Sequence, residues 1–141
     1  MKLQRLAWPA AVVAALLQTA ACSVDDDPAT MSAADTQASE QRAADALVVR
    51  VFDAFARKDC DALSRTLGES LRTPMSAKPC DEFLAHEPLT NAELKAVHRV
   101  EVDGRDPNAM LVTASIVQSG RERPIVIRVG READALRVVA M

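Results

Sequence analysis

Apolar residues recur at helical spacing in the first half of the chain and alternate with polar residues in the second half. Between Glu40 and Arg57 they lie three and four residues apart, which is the pattern of a helix that buries one stripe. The stripe consists of Ala44, Leu47, Val48, Val51, Phe52 and Phe55. Ser39 can cap this helix, and we predict one domain over residues 39–141.

Two shorter helices are predicted to follow the long one. Asp59 can cap the second helix, which Gly68 then stops. Residues 69–78 have no clear period and are predicted to be irregular. Pro79 suits the first turn of a third helix, which ends before Pro88.

The hydrophobic period becomes alternating after one further predicted helical turn, for which Thr90 and Glu93 have capping-box spacing. The predicted strands cover residues 94–102, 110–118, 125–129 and 136–140, with turns at Asp103-Gly104, Ser119-Gly120 and Gly130. Such short connections imply antiparallel pairing, because parallel neighbours need long crossovers. One long and two short helices followed by an antiparallel meander of about four strands predict an α+β fold, with the helices packed on the sheet.

The first 21 residues have the parts of an export signal. Lys2 and Arg5 are the only charged residues before Asp25, and the segment from residue 6 to residue 21 is almost wholly apolar. This segment is shorter than the roughly 20 residues that a membrane-spanning helix needs. Residues 1–21 are therefore predicted to be a signal peptide.

The next segment, Thr19-Ala20-Ala21-Cys22, resembles the lipobox of bacterial lipoproteins, in which a signal peptidase cuts before the cysteine. Its two alanines match the small residues of that motif, while threonine stands where leucine is usual. The resemblance implies that Cys22 carries a diacylglycerol and an acyl chain such as palmitate, which anchor the protein in a membrane. Ser23 implies sorting to the outer membrane, facing the periplasm. The alternative is ordinary secretory cleavage that leaves an unmodified cysteine.

Residues 22–38 are predicted to be an acidic, flexible tether between the lipid and the domain. Residues 23–40 contain five acidic side chains and no Lys or Arg, whereas residues 41–141 contain 15 acidic and 15 basic ones. The formal net charge of the whole chain is −3. A protein without a basic excess is not expected to bind nucleic acid.

Two phrases and the order of the elements suggest a family for residues 40–141. The first helix ends in FDAFARKD at residues 52–59, and the last strand carries Leu136-Arg137-Val138. This arrangement resembles the NTF2-like superfamily, with its SnoaL-like and ketosteroid-isomerase-like members, although that family often has Gly-Trp-Arg-Val near its end. The resemblance implies a cone-shaped α+β fold with a cavity between helices and sheet. It also implies that two copies can pair through their sheets as a homodimer.

Cys60 and Cys80 remain as an even pair if Cys22 is lipidated. In an oxidising compartment they are predicted to form a disulfide that joins the second helix to the third. Closing this loop is expected to stabilise the domain by about 3 kcal/mol. The alternative is a redox pair, but such pairs usually have Cys-x-x-Cys spacing. No metal site is predicted, because no short spacing links the cysteines to the two histidines.

Few residues are candidates for catalysis. The isomerases of the resembled family use a tyrosine, and this chain has none. His98 alternates with apolar residues on its strand, so it is a weak candidate for a general base that lines a pocket. His86, Glu101 and Asp53 are weaker candidates, and His86 is expected to complement a helix dipole. A lone histidine is more often a hydrogen-bonded structural residue, and no motif indicates a cofactor.

Five arginines cluster along the last strands, where they could meet an anionic partner. They are Arg121, Arg123, Arg128, Arg131 and Arg137. Acidic residues are interspersed among them, so a solvated sheet edge of mixed charge is the preferred interpretation.

The sequence therefore predicts an envelope lipoprotein whose NTF2-like domain is not an enzyme. We expect this domain to bind a small apolar ligand or a protein partner. One alternative is a small periplasmic enzyme that uses His98 as its base. Another is an inhibitor or immunity-type protein that blocks an envelope enzyme.

Overall fold

The fold is known here from a computed structural model that describes residues 32–141. The predicted signal peptide, Cys22 and the first part of the predicted tether lie outside the described residues. The described part is an α+β structure in which helices precede an antiparallel sheet. The helices are α1 (Ala33–Arg57), α2 (Cys60–Thr66), α3 (Glu69–Ser76), α4 (Cys80–His86) and a 3-10 turn at Pro88–Asn91. The strands are β1 (Ala92–Asp103), β2 (Asp106–Gln118), β3 (Arg121–Glu132) and β4 (Ala135–Ala140).

Helix α1 begins seven residues earlier than the sequence pattern predicts. Its cap is Ser32, whose Oγ accepts a hydrogen bond from the Ala34 N–H at 3.2 Å, rather than Ser39. Residues 33–38 of the predicted tether are therefore helical. Residues 33–37 are exposed, so they carry no apolar stripe that the hydrophobic period could detect.

The three short helices agree with the prediction except for α3. Asp59 caps α2 as predicted, with its Oδ1 accepting from the Ala62 N–H at 2.9 Å. Residues 69–76, predicted to be irregular, form α3 instead. The carboxylate of Glu132 accepts a hydrogen bond from the Glu69 N–H at 3.0 Å, so a distant residue caps this helix.

One predicted turn is displaced and another is wrong: the further helical turn forms at Pro88–Asn91, earlier than predicted. The capping box predicted from Thr90 and Glu93 does not form, because β1 starts at Ala92 and Glu93 is therefore part of a strand. Gly130 does not turn the chain but lies inside β3. The β3–β4 turn is at Ala133 and Asp134, which both have positive φ angles, of 47° and 64°.

The sheet is an open antiparallel meander with the strand order β1-β2-β3-β4, as predicted. The pairing of β1 with β2 is irregular near the turn, between Val102 and Asp103, and it shifts at two bulges within the strand, between Leu94 and Ala96 and between Val97 and Arg99. Each bulge reverses the alternation of faces, so Leu94, Val97 and Val100 pack on the core. His98 consequently does not lie on the apolar face where simple alternation predicts it.

The hydrophobic core lies between α1, α2 and one face of the sheet. The largest fully buried side chains are Phe55, Leu47, Leu63, Leu67, Ile116, Ile127, Val48, Val51, Val112, Val129 and Val138. The chain after α2 also covers the outer edge of β4, where the Gly68 N–H donates to the Val138 carbonyl at 2.7 Å. This contact joins the connection between α2 and α3 to the edge of β4.

Candidate functional site

A disulfide links the first turns of α2 and α4. Cys60 and Cys80 are bonded through their sulfur atoms, and their Cα atoms lie 6.1 Å apart. Both residues are half-buried and pack against the core. The sequence favours the same pairing. The bond ties the beginning of α4 to the beginning of α2.

His98 lies on β1, at the surface of the sheet. It is exposed, and its Nε2 lies 3.1 Å from Oγ of Ser115, which is only 6% exposed. A buried hydroxyl is a poor nucleophile for an external substrate, since the substrate cannot reach it. The cavities around α1, α4 and the β1–β2 turn include neither residue in their lining.

The other candidates for acid–base chemistry, His86, Glu101 and Asp53, lie on three different elements and have different neighbours. The Nδ1 atom of His86 is 2.8 Å from the carbonyl oxygen of Glu82, in its own helix. Glu101 forms an ion pair with Arg99, with a nitrogen–oxygen distance of 3.4 Å. Asp53 lines a groove between α1 and the beginning of β1. The structure therefore does not bring these residues together as a catalytic group.

One cavity, beside the beginning of α1, is small. Its volume is about 70 Å³, and its lining includes Gln37, Glu40, Met110 and Arg131. At roughly 30 Å³ per water molecule, this volume holds about two waters and not an organic ligand. Larger clefts lie elsewhere on the surface of the described residues.

One of these clefts has a volume of about 660 Å³ and an unusual concentration of arginines; we call it the arginine cleft. Its lining residues are Ser39, Glu40, Ala43, Leu47, Arg50, Arg57, Ala62, Arg65, Thr66, Arg131, Asp134, Ala135, Leu136 and Arg137. Clefts of 300–1,000 Å³ are typical of small-molecule sites. Small and apolar residues lie between the charged groups, so the cleft is not purely polar.

Three parts of the fold bring the cleft arginines together. Arg50 and Arg57 are two turns apart on one face of α1, which corresponds to a rise of about 10 Å. Arg65 comes from α2, and Arg131 and Arg137 come from the two strands that flank the β3–β4 turn. The cleft is thus lined by arginines from both the helical layer and the sheet.

The charge of the cleft is only partly compensated. Nη2 of Arg131 forms an ion pair with Oε1 of Glu40 at 2.6 Å, and its Nη1 donates to the Asp134 carbonyl. The other four cleft arginines form no ion pair within residues 32–141. Five arginines and two acids give the lining a formal charge of +3. Residues 32–141 together contain 15 basic and 17 acidic side chains, so this positive charge is locally concentrated.

The arginine cluster predicted from the sequence divides into three groups. Arg121 and Arg123 lie exposed at the beginning of β3. Arg128 is held by two aspartates at the β1–β2 turn, with nitrogen–oxygen distances of 2.9 Å. Only Arg131 and Arg137 line the cleft. Sequence analysis missed the other three cleft arginines, of which the α1 pair shows the seven-residue spacing of a common helix face.

The described residues contain neither a cluster of metal ligands nor a helix that could span a membrane. No group of three or more His, Cys, Asp or Glu side chains in residues 32–141 has the arrangement of a metal site. None of the helices in that range is both long and apolar enough to cross a membrane.

No protein-family profile, curated protein or solved structure matches this chain.

Proposed function

We propose that this protein is a lipid-anchored envelope protein whose domain binds an anionic ligand in the arginine cleft without catalysing a reaction. The observation that carries the proposal is the net positive cleft on a domain with a slight acidic excess. Guanidinium groups bind carboxylates and phosphates through paired hydrogen bonds, and such charge-assisted bonds are among the strongest in proteins. An anion is therefore the best match for this surface.

The lipid anchor is the second part of the proposal. It is supported by the basic start, the apolar segment and the lipobox-like residues before Cys22. Ser23 supports placement in the outer membrane, facing the periplasm. The disulfide between Cys60 and Cys80 is compatible with such an oxidising compartment.

Membership of the NTF2-like superfamily is the third part. It is supported by a long helix packed across an antiparallel meander and by the phrases at residues 52–59 and 136–138. No described helix packs on one face of the sheet, where Val126 is 55% exposed. An exposed apolar residue on an open sheet face supports the pairing of two copies through their sheets.

A non-catalytic role is favoured over the enzyme alternative. His98 lies outside the clefts, and its neighbour Ser115 is buried. The small apolar ligand expected from the sequence has less support than an anionic one, because seven of the residues that line the arginine cleft are charged.

Thermal unfolding of the full chain in a nonionic detergent tests the binding site. A ligand that binds only the folded state at 100 times its Kd adds about 2.7 kcal/mol of stability. We expect a multivalent anion to raise the Tm at constant ionic strength, and we expect R50Q/R57Q to lose this response. The control R121Q/R123Q removes two exposed arginines outside the cleft and should retain it. Equal responses in both variants would contradict the proposed site.

A further inference from the structure

We propose that the ligand of the arginine cleft is a phosphate ester with at least two negative charges, an inference that rests on the proposed function. The cleft lining has a formal charge of +3, so one monocarboxylate would leave most of that charge uncompensated. A phosphate monoester carries a charge of about −1.5 to −2 at pH 7 and three strong acceptor oxygens. A ligand with one or two such groups comes closest to charge balance.

The directions from which the arginines enter the cleft also favour phosphate over carboxylate. Arg50 and Arg57 come from α1, Arg65 from α2 and Arg137 from β4. A carboxylate is planar, so its acceptor sites all lie near one plane. The oxygens of a phosphate point in three directions, so a phosphate suits donors that approach it from different elements better than a planar carboxylate does.

The chemistry of the cleft cations supports the same class of ligand. All five are arginines, although Lys58, Lys78 and Lys95 are present elsewhere in the domain. Arginine presents five N–H donors in a rigid fork, whereas lysine acts as a strongly hydrated point charge. Phosphate recognition through several directed hydrogen bonds uses this property of arginine.

The remainder of the ligand is expected to be at least partly apolar. Ala43, Ala62, Ala135 and Leu136 lie between the arginines in the lining, and the volume of about 660 Å³ exceeds that of a phosphate group alone. An organic group attached to the phosphate could cover these residues and exclude water from the ion pairs. Such a phosphate could be borne by a membrane lipid or by a soluble ester, and the experiment below distinguishes the two.

Isothermal titration calorimetry of the full chain in a nonionic detergent provides the test. Pyrophosphate is the probe, and citrate is the carboxylate probe of similar charge. We expect pyrophosphate to bind at least about tenfold more tightly than citrate, and R50Q/R57Q to weaken its binding by at least about tenfold. The single variant R65Q, on another helix, should also weaken it. R121Q/R123Q should bind as the wild type does.

Micelles of the same detergent that carry phosphatidic acid or phosphatidylcholine then identify the source of the phosphate. Displacement of pyrophosphate by phosphatidic acid alone supports a lipid-borne phosphate, and no displacement by either lipid supports a soluble ester. Citrate binding as tight as that of pyrophosphate would overturn the phosphate assignment but leave the proposed anion site standing. Pyrophosphate binding that R50Q/R57Q and R65Q do not weaken would overturn the assignment to this cleft. If no anion binds, the proposed function itself fails.

Discussion

A single carboxylate, that of Asp103, organises the β1–β2 turn. Its Oδ1 accepts a hydrogen bond from the Arg105 N–H and its Oδ2 accepts one from Nε of Arg128, both at 2.9 Å. The backbone donor, followed by the Arg128 side chain, holds the pKa of Asp103 below its ordinary value. The residue is only 8% exposed, so these bonds also satisfy a carboxylate that has little access to water.

The lowered pKa of Asp103 predicts a pH dependence of stability. The unfolded state binds the proton more readily, so the contribution of Asp103 is present above about pH 4 and is lost as the pH falls through its lower folded pKa. We expect D103N to lower the midpoint of urea denaturation at pH 7. The difference from the wild type should narrow below about pH 4. D53N, which alters an exposed carboxylate, is the control, and a difference independent of pH would contradict this account.

The position of His98 shows a limit of sequence analysis at the residue scale. Alternation places His98 with Val100 and Val102 on one face, but one bulge precedes it and His98 itself lies in the second. His98 is exposed, Val100 packs on the core, and Val102 is 41% exposed. A bulge depends on how two strands pair, so the pattern along one strand cannot reveal it.

At the scale of elements, the disulfide joins two short helices that would have little stability alone. It closes a loop whose ends are 20 residues apart in the sequence. The entropy that this closure removes from the unfolded chain corresponds to about 3 kcal/mol. We expect C60S/C80S to lower the free energy of unfolding by that amount, as measured by urea denaturation. The wild type under reducing conditions should match the variant, and a loss below about 1 kcal/mol would contradict the predicted role.

The approach of Gly68 to the sheet gives a second prediction for the elements. A Cβ at this position would lie 2.8 Å from Oε1 of Glu132 and 3.0 Å from Cγ1 of Val139. Its side-chain space is therefore occupied, and the carboxylate that caps α3 would have to move. We expect G68A to destabilise the domain by about 1–3 kcal/mol in urea denaturation.

The control for this substitution is G104A, because nothing lies within 4 Å of a Cβ at Gly104. We expect this control to change the stability by no more than about 0.5 kcal/mol. Equal effects of the two substitutions on the free energy of unfolding would contradict the prediction that a side chain at Gly68 is costly because of its close neighbours in the sheet.

Elements that bury a regular apolar face could be predicted from the sequence, and those fixed by distant contacts could not. The stripe of α1, the Asp59 cap and the antiparallel meander follow from local patterns. Helix α3 is capped by Glu132, which lies 63 residues away in the sequence. Gly130 resembles a turn residue, but it lies within a strand where its Cβ space is limited by Val139.

At the scale of the whole molecule, the binding site combines charges that are distant in the sequence. Arg50 and Arg137 are separated by most of the domain, yet both line one cleft. The arginines of the last strands form a group in the sequence because they are neighbours along the chain. The fold instead selects Arg131 and Arg137 from that group and adds arginines from α1 and α2. Sequence proximity therefore could not identify the cleft.

The proposed anchor gives a prediction for the location of the whole protein. Two or more acyl chains at about 0.8 kcal/mol per buried CH₂ hold a protein firmly on a membrane. We expect fractionation to find the wild type in the outer membrane fraction with an acylated N-terminal Cys22. C22A should lack that lipid and should not sort with the outer membrane. C60S/C80S, which keeps the lipobox-like segment, should sort as the wild type does, and outer-membrane recovery of C22A would contradict the anchor.

Native mass spectrometry of the full chain recovered from bacterial membranes tests the central claim most directly. The account predicts that the wild type retains a phosphate-containing molecule in addition to its N-terminal lipid. R121Q/R123Q should retain the same molecule, and R50Q/R57Q should lose it while keeping the lipid. An unliganded wild type, or the same retained molecule in both variants, would contradict binding in the arginine cleft.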